Sequence, residues 1–175
     1  YYDVWSGIFS ETWFGVQADW CEQNNIEYLM HVGADSVPLI LVRNNGDFFR
    51  NMRHVHVPGI DNLNEIGPGM MANFPKLASS AAHLFGRPKA WEEAGGGPGE
   101  LGKFVADFHF VRSVTALQIR AGGSGAAVVN PQAAAIAWYV NRLGYLLSIG
   151  RPAAQVALYY PTSSVWMGDD DANAV

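Results

Sequence analysis

The stretch LASSAAHLFGRPKAWEE, residues 77–93, decides the fold class. Its first part, residues 77–85, is rich in alanine and leucine and predicts a helix that stops at Gly86, with Pro88 beyond it. Residues 88–93 then predict a strand, and a glycine-rich loop follows over 94–102. A helix that leads through a short connection into a strand is typical of a βα repeat.

Helices and strands alternate on both sides of this stretch. On the N-terminal side the pattern predicts a helix over 9–24 and strands over 26–32 and 54–57. The second of these strands is expected to end in a turn at Pro58-Gly59. A loop that contains an apolar run at 39–42 separates these two strands. On the C-terminal side it predicts helices over 103–120 and 132–149 and a strand over 155–159. Strands separated by helices favour parallel βα units, so the expected fold class is α/β.

The length of the chain limits the architecture. A complete (β/α)₈ barrel takes about 250 residues, and this chain has 175. We therefore expect part of a (β/α)₈ TIM-type barrel, with parallel strands that alternate with helices, or else a smaller open sheet. Residues 1–152 are expected to belong to the barrel, and residues 153–175 to start a following strand or segment that is truncated.

Composition excludes several classes of protein. The chain is 49% hydrophobic, 13% aromatic and 15% charged, which favours a packed core over disorder. A net charge of −5 without a basic stripe argues against a nucleic-acid partner. No uninterrupted apolar run is long enough for a transmembrane helix. The single cysteine, Cys21, excludes an internal disulfide, and zinc-ligand spacing of cysteines is absent.

Functional groups of a βα unit lie at the carboxyl ends of the strands and in the loops that follow. This rule selects six residues, most of them carboxylic acids: His31, Asp35, Asp61, Glu65, Glu92 and Glu93. Paired carboxylates are the groups that glycoside hydrolysis requires. Adjacent residues of a strand point to opposite faces, so only one of the two glutamates can face the site, and Glu93 is the preferred candidate. A solvent-facing glutamate pair is the alternative.

Two other patterns, a possible phosphate-binding loop and a possible metal site, are weaker indications of function than the carboxylates. GPGELGKF, residues 97–104, fits a phosphate-binding loop except that Phe104 stands where a serine or threonine should bind magnesium. His54 and His56 would share one face of the predicted strand and could ligate a metal. A third ligand is not evident, so ordinary hydrogen-bonded histidines are the favoured interpretation.

Several longer strings resemble glycoside hydrolase family 106, the α-L-rhamnosidases and their relatives. They are ADWC (18–21), GDFFRNMR (46–53), VPGID (57–61), FPKLASSAAHLFGRP (74–88), GRP (150–152) and VALYYP (156–161). The resemblance covers most of the chain from Phe9 to Pro161. It implies a (β/α)₈ catalytic domain within a larger multidomain protein, an inverting mechanism with two carboxylates, and calcium that assists substrate binding in some members.

The resemblance also assigns roles to residues. Glu93 falls where relatives end this strand in a glutamate, and Asp35 stands where relatives often carry a glutamate after the first strand. We expect hydrolysis of an O-glycosidic bond in a polysaccharide or oligosaccharide, with α-L-rhamnoside as the first candidate. Glu93 would be the base that activates water, with Asp35 as the second catalytic carboxyl. The substrate-binding residues would be His31, Asp61, Glu65, Trp91 and Glu92.

Other readings of the sequence stay open. The chain could be a non-catalytic carbohydrate-binding domain or an inactive truncated barrel, and it could be a β-galactosidase-like hydrolase on the same barrel. Trp91 could stack on a sugar ring or belong to the core. The expected partners are a carbohydrate and the remaining domains of a larger parent chain, with no nucleic acid and no membrane. A parent that degrades polysaccharide would be secreted or periplasmic.

Overall fold

The computed structural model describes residues 1–35, 37–62, 73–94, 99–118 and 131–168. Four strands form one parallel sheet in chain order: β1 (Leu29–Met30), β2 (Val57–Asn62), β3 (Trp91–Ala94) and β4 (Ala116–Leu117). The expected α/β class with parallel strands is therefore confirmed. A full barrel is not seen among the described residues, whose strands form an open sheet.

Helices precede, connect and follow the strands. They are α1 (Tyr2–Phe9), a π-helical segment (Ser10–Gly15), α2 (Val16–Gln23), α3 (Pro38–Asn45), α4 (Phe48–Met52), α5 (Pro75–Leu84), α6 (Glu100–Phe110), α7 (Pro131–Ser148) and α8 (Thr162–Met167). Helix α5 links β2 to β3, and α6 links β3 to β4, as parallel pairing requires.

Local sequence explains where several of these helices begin. Prolines begin α3, α5 and α7 at Pro38, Pro75 and Pro131, a position where the missing N–H costs no helical hydrogen bond. Asp47 precedes α4, and its carboxylate accepts a 2.7 Å hydrogen bond from the backbone N–H of Arg50. This is the usual N-cap geometry, which satisfies a free donor of the first turn.

The hydrophobic core has two parts. The larger part packs the N-terminal helices, α4 and α5 against the sheet, and its fully buried side chains include Phe14, Phe48, Met52, Ile60 and Phe74. The smaller part joins α6 to α7 through Ala106, Phe110, Ile136 and Val140. His31, Asp61 and Glu93, at the carboxyl ends of β1, β2 and β3, lie outside this core and are partly exposed.

Strand β2 corrects two predictions. The strand predicted over 54–57 instead spans Val57–Asn62, so His54 and His56 precede it and do not share a strand face. The expected Pro58-Gly59 turn lies inside the strand, where Pro58 pairs with Met30 of β1. The local turn signal is overridden because Gly59 is used for close packing.

The C-terminal half departs from the predictions at two points. The helix predicted over 103–120 ends at Phe110, and Ser113 turns the chain with a φ of 67° before it enters β4. The strand predicted over 155–159 is wrong, because this segment has no strand pairing and its apolar side chains are exposed.

In the N-terminal half, the loop expected between the first two strands contains α3 and α4. By contrast, the helix predicted over 77–85 and the strand predicted over 26–32 are confirmed at their centres by α5 and β1.

We predict that Gly59→Ala lowers the free energy of unfolding by about 1–3 kcal/mol. An added Cβ at this position would lie 2.4 Å from Cε3 of Trp91 and 2.8 Å from the carbonyl oxygen of Met30. Gly33→Ala is the matched control, since a Cβ there meets nothing within 4 Å. Urea unfolding of the two variants measures the difference, and equal stabilities would contradict the close approach of β1 and β3 to Gly59.

Candidate active site at the carboxyl ends of the strands

Three polar side chains meet at the carboxyl ends of adjacent strands. His31 follows β1 directly, and Asp61 of β2 is the register partner of Glu93 of β3. The Nε2 atom of His31 lies 3.1 Å from Oε2 of Glu93. One donor atom from each of the three residues lies within 4.8 Å of the others. The topology of a parallel sheet therefore brings together residues that are far apart in the sequence.

The imidazole of His31 is held from two sides. Its Nδ1 atom lies 3.3 Å from the carbonyl oxygen of Val32, and its Nε2 atom faces Oε2 of Glu93. Its ring lies 5.3 Å from the ring of Trp91, with an angle of 38° between the planes. Trp91 and Glu93 are separated by one residue of β3 and so share a face of the sheet. Both are partly exposed, which leaves this face open to a ligand.

Glu92 lies on the opposite face of β3 from Glu93, as strand alternation predicts. Its side chain is fully buried, and Oε1 is 3.3 Å from Nε2 of His109 on α6, which is equally buried. Burial raises the pKa of Glu92, and the neighbouring His109 offsets this only in part. Glu92 therefore presents no exposed oxygen to a sugar, and its expected contact with substrate does not match its position.

Asp35 is also buried, directly behind Asp61. Its Oδ2 accepts a 2.6 Å hydrogen bond from the backbone N–H of Asp61. Burial raises the pKa of Asp35 to about 8, a shift opposed by that hydrogen bond and reinforced by the nearby charges of Glu92 and Asp61. In this arrangement Asp35 fixes the end of β2 and does not reach the open face.

His54 and His56, the other histidines considered as metal ligands, each lie near a glutamate of the N-terminal helical region. Nδ1 of His56 accepts a 2.8 Å hydrogen bond from the backbone N–H of Tyr28, and Nε2 contacts Glu22. His54 lies 3.8 Å from Glu11 and beside Gly15 of the N-terminal helical region. Glu65 lies outside the described residues. Within the described ranges, the open face therefore gathers four of the predicted site residues: His31, Asp61, Trp91 and Glu93.

Sequence reasoning missed His109. It lies inside α6, and no pattern in the sequence links it to Glu92. The contact arises because α6 folds back over the sheet after β3. Nδ1 of His109 donates to the carbonyl oxygen of Val105 at 2.7 Å, which fixes the ring so that Nε2 faces Glu92.

Comparison with known proteins found no match to a family model, to a curated protein or to a solved structure. In the described parts of the chain, none of the helices has both the length and the apolar character needed to cross a membrane.

We predict that Asp35→Asn reduces the pH dependence of stability. A carboxyl whose folded pKa is about 8 binds a proton more tightly in the folded chain than in the unfolded chain. The free energy of unfolding of the native chain should therefore fall as pH rises between about 4 and 8, by up to about 1.4 kcal/mol per pH unit from this group. Asparagine keeps an acceptor for the N–H of Asp61 and does not titrate.

Chemical denaturation of both proteins at several pH values measures this effect. The difference in unfolding free energy between variant and native chain should shift in favour of the variant as pH rises. A difference that stays constant from pH 4 to pH 8 would contradict the burial of a titrating Asp35.

Proposed function

We propose that this chain carries part of the catalytic domain of a glycoside hydrolase. The proposal is supported above all by Glu93, a partly exposed carboxylate at the carboxyl end of a parallel strand, with Asp61 beside it and His31 in contact with it. Carboxylates in this position are suited to proton transfer at a glycosidic bond. The family resemblance of the sequence strings points to the same chemistry.

The proposal includes a (β/α)₈ barrel as the complete architecture of the catalytic domain. The four parallel strands in chain order, with helices between successive strands, are compatible with one part of a (β/α)₈ barrel. Residues 1–152 are proposed as that part. Further domains of a larger parent chain, and secretion or export to the periplasm if the parent degrades polysaccharide, are proposals that follow from the resemblance.

Glu93 is proposed as the base that removes a proton from the attacking water. The contact between His31 Nε2 and Glu93 Oε2 holds that carboxylate in place, and Trp91 offers a ring face next to it. Inverting enzymes keep their two carboxyl groups about 6.5–9.5 Å apart. Asp61 is closer than this to Glu93, with donor atoms within 4.8 Å, so the two do not form an inverting pair, and Asp61 is proposed to bind sugar hydroxyls.

Asp35 is proposed as a positioning residue, since it acts on the site through the backbone of Asp61. The residues for substrate binding are His31, Asp61 and Trp91, and Glu65 stays a prediction from the sequence. The proposed sugar is an α-L-rhamnoside, which rests on the resemblance alone, and a β-galactosidase-like preference is the alternative on the same barrel.

The calcium that the resemblance implies does not fit the described side chains. Calcium takes about six to eight oxygen ligands. The described cluster offers two carboxylates and an imidazole nitrogen, which is a poor ligand for so hard a cation. No step of the proposed reaction is therefore assigned to calcium.

A non-catalytic carbohydrate-binding domain is the second candidate function. It is favoured by one observation: the partly exposed Trp91 ring lies beside hydrogen-bonding groups that could hold sugar hydroxyls without any bond cleavage. Thermal melting with added sugars separates the two functions, because a binding domain should be stabilised by a sugar that it never hydrolyses.

We predict that the protein releases nitrophenol from one member of a panel of aryl glycosides that includes α-L-rhamnoside. Glu93→Gln should lower turnover about 10²- to 10⁴-fold, because the amide cannot accept the proton of the attacking water. Glu100→Gln, an exposed position in the first turn of α6, is the matched control and should keep normal turnover.

The test uses this chain and any longer protein that contains it, with circular dichroism to confirm that each variant is folded. Near-normal turnover by Glu93→Gln would contradict the assignment of the base. Absence of turnover on every sugar, combined with sugar-dependent stabilisation, would favour the binding domain.

A further inference from the structure

The cluster of His31, Asp61 and Glu93 offers three atoms that could act as ligands to a metal ion. It combines one imidazole nitrogen with two carboxylates, one residue from the end of each of three neighbouring strands. Among the described residues, these three were found to have donor atoms close enough to share one ion. Mixed nitrogen and oxygen donors suit cations of intermediate hardness, such as Zn²⁺ and Mn²⁺, better than they suit calcium.

The separations fit such a cation. Tetrahedral zinc bonds of about 2.0–2.2 Å place neighbouring ligand atoms roughly 3.3–3.6 Å apart. The His31 Nε2 to Glu93 Oε2 distance of 3.1 Å is close to that range. The third donor, from Asp61, lies within 4.8 Å of the other two, which a small rotation of a short side chain can close.

The orientation of His31 supports such a site. Its Nε2 atom faces Oε2 of Glu93 at 3.1 Å, and its Nδ1 atom lies 3.3 Å from the carbonyl oxygen of Val32 on the other side of the ring. A histidine that donates its other N–H to a backbone carbonyl is the usual arrangement at metal sites.

The surroundings allow an ion to enter and to be held. The side chains of His31 and Glu93 are 26% and 16% exposed, so the cluster is reachable from solvent but partly shielded from it. Asp35 fixes the backbone of Asp61 from behind through a 2.6 Å hydrogen bond. This support is typical of the outer groups that orient metal ligands.

We propose that His31 Nε2 and the carboxylates of Asp61 and Glu93 form a three-ligand site for a divalent cation of intermediate hardness, with Zn²⁺ as the best match. Three protein ligands leave at least one position of the cation for water or a ligand hydroxyl. This inference goes beyond the proposed glycosidase activity, and binding is measured without any substrate. A failure of the metal-binding proposal is therefore distinguishable from a failure of the proposed glycosidase activity.

The experiment is isothermal titration of the metal-free chain with Zn²⁺, Mn²⁺ and Ca²⁺ in turn. Zn²⁺ should bind with a stoichiometry of about one, and His31→Ala should weaken its binding at least about 100-fold, since it removes the one nitrogen ligand. His83→Ala removes an exposed histidine of α5 and is the matched control, with unchanged affinity. Co²⁺ serves as a visible probe whose absorption bands should be lost in His31→Ala and kept in His83→Ala.

Equal Zn²⁺ affinity in the native chain and His31→Ala would overturn the site, as would Ca²⁺ binding that is as tight as Zn²⁺ binding. Circular dichroism checks the fold of each variant. If His31→Ala fails to fold, Glu93→Gln decides, because it keeps the size of the side chain and replaces an anionic ligand with a weak one. Undiminished Zn²⁺ binding by a folded Glu93→Gln would also overturn the proposal.

Discussion

The in-register pairing of β2 with β3 is the constraint on which the candidate site depends. Side chains alternate along each strand, so the pairing of Asp61 with Glu93 places both on one face, while Ile60 and Glu92 point into the core. A slip of one residue would bury Glu93 and bring Glu92 to the open face. The close approach of Gly59 to the Trp91 ring holds this register, because any larger side chain would force the strands apart.

Two ionisable side chains, Glu92 and Asp35, are buried behind the open face, and their burial lowers the stability of the fold. Burial of a charge costs free energy unless a partner offsets it. Glu92 contacts His109, and Asp35 accepts a hydrogen bond from the backbone of Asp61, so each has a partner. The raised pKa of Asp35 shows that its partner does not offset the whole cost. Such groups behind a partly exposed cluster are typical of functional sites, where side-chain positions are held at the expense of stability.

The sequence was sufficient to predict what depends on local pattern and strand order. Alternating helices and strands predicted the parallel α/β class, and the rule for strand ends selected His31, Asp61 and Glu93. Long-range packing decided the rest. Strand β4 has only two residues, and they form a strand because they pair with β3. Without knowledge of that pairing, their apolar side chains fitted the helix predicted over 103–120, which in fact ends at Phe110. Similarly, the contact of Glu92 with His109 depends on where α6 packs, which no local spacing reveals.

Disulfide formation between paired cysteines tests the β2–β3 register most directly. In a Cys21→Ser background, Asp61→Cys with Glu93→Cys places both thiols on the same face of neighbouring strands, within the range that a disulfide spans. Asp61→Cys with Glu92→Cys places them on opposite faces. Mild oxidation should close the first pair in the folded protein and leave the second pair reduced. Closure of the second pair, or equal behaviour of the two, would contradict the register and with it the site.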